Sequence, residues 1–131
     1  MQAKLAELEK IKVGIVNYLN TRPMLYGLTQ GDIVGRIELI GDYPALVASK
    51  LKEGLIDVGL IPVAATNGLS EFHIVGNYGI ATNGEVASVC LFSNVPLQQI
   101  KKIKLDYQSR TSAALLQLLV RDYWKLNVEF A

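Results

Sequence analysis

Ile11-Lys12-Val13-Gly14-Ile15-Val16-Asn17-Tyr18-Leu19-Asn20-Thr21-Arg22-Pro23 is the stretch on which the fold turns. Ile11 to Val16 is a short apolar run rich in β-branched residues, the composition of a strand covered on both faces. Polar residues arrive only where the run ends. Asn20 or Thr21 is placed to cap a following helix, and Pro23 suits its first turn, where proline's missing N–H would be unpaired anyway. Met24, Leu25 and Leu28 give that helix an apolar side. A helix that starts at a strand's carboxyl end presents free N–H groups and the positive end of its dipole, so the corner predicts an anion site for a carboxylate or phosphate. Arg22 adds a charged donor fork. The plain alternative is that Asn20 and Thr21 only cap the helix and Arg22 is solvated.

The same alternation continues outward. Ile33 to Ile40 reads as a second strand, and Tyr43-Pro44 opens a helix with Asp42 or Tyr43 at its cap. Leu46, Val47 and Leu51 form its stripe, and Gly54 supplies a left-handed stop. Asp57 to Val63 is a third apolar run leading into a short helix through Ala64, Ala65 and Thr66. Strand–helix alternation of this kind predicts an α/β fold with a mainly parallel sheet. After Gly68 the pattern changes to three strand-like runs, Phe72–Val75, Tyr78–Thr82 and Val86–Phe92, with a hairpin signal at Asn83-Gly84. Lys101, Lys102 and Lys104 flank a further strand near Ile103 to Asp106 and read as a solvated face.

Ser109-Arg110-Thr111-Ser112 repeats the logic of the first corner ahead of a helical stretch, Ala113 to Trp124. Ser109 can cap, Thr111 and Ser112 place hydroxyls in the first turn, and Arg110 brings a guanidinium, so the tetrapeptide is either an ordinary cap or a second anion cradle. Two such corners suit a small molecule with two carboxylates.

Composition narrows the classes. The chain has 131 residues, half of them hydrophobic, which is the size and content of one ordinary globular domain. Thirteen basic against 12 acidic residues leave a net charge of +1 and no electrostatic case for nucleic acid or an anionic membrane. The first twelve residues are charged and unlike a signal peptide, and no apolar run approaches membrane-spanning length, so a cytoplasmic protein is expected. Cys90 lies in an apolar run and is expected to be buried. One cysteine and one histidine cannot make a usual zinc site, and no nucleotide-binding fingerprint occurs, so neither metal nor cofactor is expected. His73 reads as structural or surface histidine, and Asp57 as a residue that bounds a strand. Tyr18, Tyr26 and Tyr43 either wall an aromatic ligand's pocket or pack half-buried.

Four segments in register carry a family resemblance: Val13-Gly14 with Tyr18-Leu19-Asn20 and Pro23; Gly54 to Gly59 with Pro62-Val63; Val86-Ala87-Ser88-Val89 through Val95-Pro96-Leu97; and Ser109-Arg110-Thr111-Ser112. Together they resemble the amino-terminal half of the chorismate dehydratase family of the futalosine route to menaquinone. The resemblance implies a periplasmic-binding-protein-like (type II) fold. One lobe would be nearly complete over residues 1–97, with a crossing segment at its end, and residues 98–131 would be the first strand and helix of a truncated second lobe. Members of the family are considerably longer, so the chain is expected to be a fragment or truncated product, with homodimerisation or strand exchange through its unpaired edges. The implied activity is a lyase reaction, dehydration of chorismate to 3-[(1-carboxyvinyl)oxy]benzoate. Asn20 and Ser88 are implied as its active-site polar groups, with Thr21, Arg22, Ser109, Arg110, Thr111 and Ser112 binding the substrate. Ser88 read by itself simply faces a neighbouring backbone. A 1,4-dihydroxy-6-naphthoate synthase-like enzyme of the same pathway and a non-catalytic binding module for small carboxylates are the alternatives.

Overall fold

The structure is a computed structural model that describes residues 9–131. The chain is α/β and forms two compact units that divide between Ile61 and Pro62.

In the first unit β1 (Ile11–Val16) is the middle of a parallel sheet, flanked by β2 (Ile37–Asp42) and β3 (Val58–Gly59). The β1–β2 ladder runs the full six residues, from Ile11 opposite Ile37 to Val16 opposite Asp42, while β3 pairs only at Val13–Val58 and Gly14–Gly59. A central parallel strand is buried on both faces, which is why β1 reads as an almost unbroken apolar run. Gly14 is required by packing: a Cβ there would lie 2.4 Å from Ile56 Cδ1 and 2.9 Å from Val47 Cγ1. Val16, Val47 and Ile56 form the core, with Ile40, Leu51 and Ile61 packed against them.

Helix α1 (Arg22–Leu28) follows β1 through a 3-10 turn at Leu19–Thr21. A second 3-10 turn, Gly31–Arg36, takes up the first four residues expected in strand two, so β2 starts at Ile37. Helix α2 (Pro44–Lys52) has Tyr43 at its cap and Pro44 in its first turn, as the sequence predicts. It ends in a Schellman motif: Leu55 N–H donates to the Lys50 carbonyl at 2.9 Å and Gly54 N–H to Leu51 at 3.1 Å, with Gly54 at φ 69°. Asp57 ties β3 to β1 twice, its backbone N–H donating to Lys12 O and its carboxylate accepting from Lys12 N–H at 2.8 Å. The strand-bounding role expected of Asp57 is thus met.

In the second unit the short helix expected through Ala64, Ala65 and Thr66 is present as a 3-10 helix, Val63–Gly68. Farther along, β4 (Lys102–Ile103) and β5 (Glu129–Phe130) pair in parallel, joined by α3 (Arg110–Leu118), which widens into a π-helical turn at Leu119–Tyr123. The chain thus ends in a paired strand, Glu129 opposite Lys102 and Phe130 opposite Ile103. The ladder is extended by Leu105 N–H donating to Ala131 O at 2.8 Å. Ile100, Ile103 and Val120 form the core here, with Leu116, Trp124, Leu126 and Phe130 among the residues around them.

Residues 70–96 depart from the sequence expectation. None of Phe72–Val75, Tyr78–Thr82 or Val86–Phe92 is a strand, and every residue from Ser70 to Cys90 is exposed. Alternation records a capacity to pair; a strand needs an edge to pair with, and among the described residues these runs have none. Asn83-Gly84 is a bend, with Gly84 at φ 104°, but no hairpin strands leave it. Cys90 is exposed, correcting the buried reading: of the run Val86–Phe92 only Leu91 packs against a core, and the run joins no sheet among the described residues. No helix among the described residues is long and apolar enough to cross a membrane.

Candidate functional site

The first corner stands at the carboxyl end of β1. The sheet order β2-β1-β3 sends the connections after β1 and β2 to opposite sides, and in open parallel sheets the crevice at such strand ends is where ligands bind. A cavity of about 420 Å³ opens at the ends of β1 and β2, lined by Ile15, Val16, Asn17, Leu25, Leu39, Gly41, Asp42 and Tyr43. Tyr43 is half-buried and lines this cavity. Asn17 escaped the sequence reading, although it is the first polar residue after the strand. Its backbone N–H donates to Asp42 O at 3.4 Å, prolonging the β1–β2 ladder to the cavity's edge.

Asp42 joins strand to helix: Tyr43 N–H donates to Oδ1 at 2.9 Å, and the Lys50 ammonium donates to Oδ2 at 2.9 Å. The hydrogen bond from Lys50 holds this carboxyl below its ordinary value, against the opposing pull of desolvation. The cavity therefore keeps an ionised carboxylate on one wall whose charge Lys50 compensates.

Asn20 lies in the Leu19–Thr21 turn, exposed, and its amide makes no hydrogen bond among the described residues. Arg22 is exposed at the start of α1. Thr21 stands at the cap position but does not cap with its side chain, because its backbone is already helical (φ −90°, ψ −10°). Its buried hydroxyl turns back to the Val16 carbonyl and lies 2.6 Å from the Tyr18 carbonyl. With one proton shared between two acceptors, this hydroxyl holds the strand end against the turn that presents Asn20.

The second corner opens α3. Ser109 precedes the helix without a side-chain bond to its N–H groups; Ser109 Oγ donates instead to Ser112 Oγ at 2.8 Å. The Ala113 N–H is met by the Ser109 backbone carbonyl at 3.1 Å. Thr111 Oγ1 accepts from Ala64 N–H at 3.4 Å, fixing the first turn of α3 to the Val63–Gly68 turn. Arg110 is exposed beside them. Nine residues of helix, extended by the π turn, make this the longer helix of the two corners.

Ser88 is not in a strand. It sits in a turn closed by Val89 N–H donating to Val86 O at 3.1 Å, and is exposed. His73 is a surface residue, with Nε2 3.6 Å from the Glu71 carboxylate. The lysines at 101, 102 and 104 are exposed, and Lys102 pairs across the ladder with Glu129 at 2.7 Å. A wider cleft of about 730 Å³ in the second unit includes Gln117, Arg121, Lys125 and Phe130, but none of the residues singled out from sequence.

Asn20, Thr21 and Arg22 are thus brought together in the first unit, and Ser109 to Ser112 in the second. The first group offers a free amide and a guanidinium at a strand end, the second three hydroxyls and a guanidinium at a helix start. Each is suited to hold a small carboxylate. A family model for menaquinone biosynthesis matches residues 11–131, from the first residue of β1 to the end of the chain. The chain belongs to the menaquinone biosynthesis family.

Proposed function

We propose that this chain carries the amino-terminal part of a chorismate dehydratase, a hydro-lyase that converts chorismate to 3-[(1-carboxyvinyl)oxy]benzoate. Family membership supplies the pathway, and the observation that carries the finer reading is the exposed, unbonded amide of Asn20 at the carboxyl end of β1. The fold is read as periplasmic-binding-protein-like, with residues 1–97 belonging to one lobe and 98–131 opening a second.

In this reading a proton leaves C3 of the ring and hydroxide leaves C4, together one water, and the ring becomes aromatic. The chain's part is to hold two carboxylates and orient the reacting face. Following the family resemblance, Asn20 and Ser88 are its active-site polar groups and Arg22 and Ser109–Ser112 bind carboxylate, while Thr21 fixes the turn that carries Asn20. Asp42, the carboxylate lining the cavity at the first corner, is already engaged by Lys50 and Tyr43 N–H and is not assigned as the base. The substrate's own enolpyruvyl carboxylate takes the C3 proton, so the pH–rate profile is expected to lack an essential enzyme group near neutrality.

The test is incubation of the chain with chorismate, following ring aromatisation by ultraviolet absorbance and loss of one water by mass, for the wild type and Asn20→Ala. Turnover that falls by about 100-fold or more in the variant supports the reading. Turnover indifferent to Asn20, or a folded chain that neither binds nor converts chorismate, contradicts it. Binding without turnover favours the carboxylate-binding module.

A further inference from the structure

The cavity at the ends of β1 and β2 lies wholly in the first unit, and its polar content is small. Of its eight lining residues only Asn17, Asp42 and Tyr43 carry a polar side chain, the others being aliphatic or glycine. Both oxygens of Asp42 are engaged, Oδ1 by the Tyr43 N–H and Oδ2 by the Lys50 ammonium, each at 2.9 Å. Asn17 gives its backbone N–H to the Asp42 carbonyl, yet its exposed side-chain amide makes no hydrogen bond among the described residues.

Charge decides what such a cavity can hold. Lys50, which compensates Asp42, is not among the lining residues, so a carboxylate seated here would face a like charge with no cation on the wall. A neutral hydroxyl meets no such penalty, because it accepts from an amide N–H and still has a proton to donate. The aliphatic wall suits ring carbons, and a cavity of about 420 Å³ lies within the roughly 300–1,000 Å³ of small-molecule sites. We propose that this cavity takes the hydroxyl-bearing edge of a non-aromatic ring, and that Asn17 is a further substrate-contacting residue whose Nδ2–H donates to that hydroxyl oxygen. The inference rests on the chorismate reading and deepens it, by giving the C4 hydroxyl a seat of its own apart from the carboxylate contacts. As the C4–O bond breaks, its electron pair leaves with oxygen and the Asn17 proton stays on nitrogen, hydrogen-bonded to the departing group. That oxygen leaves as water with the proton removed from C3.

The reaction product supplies the control, since 3-[(1-carboxyvinyl)oxy]benzoate keeps both carboxylates and lacks the hydroxyl. Chorismate turnover by the full chain, and its inhibition by added product, are measured for wild type, Asn17→Ala and Asn17→Ser, with equilibrium binding of both compounds should turnover be absent. Asn17→Ala is expected to lower kcat/KM, or chorismate affinity, by about tenfold, while the constant for the product changes by less than about twofold. Asn17→Ser keeps a donor and is expected to recover part of the loss. The Asn17 side chain is exposed and unbonded, so the fold survives both changes, as thermal unfolding checks. Equal weakening of chorismate and product would make Asn17 a general support of the corner and overturn the proposal. Wild-type turnover with an unaltered Asn17→Ala variant would overturn this inference alone, whereas a folded wild type that neither binds nor converts chorismate would overturn the reading beneath it as well.

Discussion

The run Val86–Phe92 is more apolar than strand β1, with six hydrophobic residues of seven against four of six, yet β1 is the middle of a six-residue ladder and Val86–Phe92 forms no strand and is exposed apart from Leu91. The difference is supplied from outside each segment. β1 has β2 on one edge, β3 on the other, and Val47 of α2 closing over Gly14. Val86–Phe92 pairs with no strand among the described residues, and only Leu91 packs against a core. A strand is a property of a pair, and only half of the pair is written in the segment itself.

Three experiments break or sharpen this contrast, from largest effect to smallest. Ile56 is buried at 3% exposure in the first core, and Ile74 is 85% exposed in the unpaired stretch. Ile56→Ala is expected to cost about 2–5 kcal/mol in chemical denaturation, whereas Ile74→Ala stays within about 0.5 kcal/mol at concentrations where the chain is monomeric. Comparable losses would erase the distinction. Next, Gly14→Ala forces a methyl against Ile56 and Val47 and is expected to cost about 1–3 kcal/mol. Gly79→Ala, with nothing within 4 Å of the added carbon, is the near-neutral control.

The smallest effect is a pH dependence. Asp42 has its carboxyl lowered from 3.8 by the hydrogen bond from Lys50. A depressed carboxylate contributes stability that is fully present above its unfolded value and is lost as pH falls through the folded one. Wild type is therefore expected to lose stability below about pH 4 more steeply than Asp42→Asn, in unfolding curves recorded from neutral to acid pH. Identical slopes would remove the Asp42–Lys50 pair from the account.

Much of the first unit was legible because its signals are local. The β-branched run of β1, Pro44 at the start of α2 and Gly54 at its end each point to the element found. Boundaries slipped where a competing local structure took the residues, as the 3-10 turn did at the front of β2. At the site, residue types were legible and their bonding was not. Thr21 looks like a cap in sequence, but its helical backbone sends the hydroxyl back to two carbonyls. Ser109 bonds Ser112 instead of a helix N–H. Asn17 passed unnoticed because its place at the rim depends on β2 lying alongside. The strands expected after Gly68 and the buried Cys90 failed together, since both assumed a neighbouring edge that pattern cannot report.

Residue-resolved hydrogen exchange of the full chain, diluted until sedimentation shows only monomer, tests this contrast most directly. Amides of Val13 to Val16 are expected to exchange slowest, near the rate set by global unfolding, while those of Tyr78 to Phe92 exchange almost unprotected. Protection of Tyr78 to Phe92 equal to that of β1 in the monomer would contradict the account, because it would mean that these runs find their strand partners within a single chain.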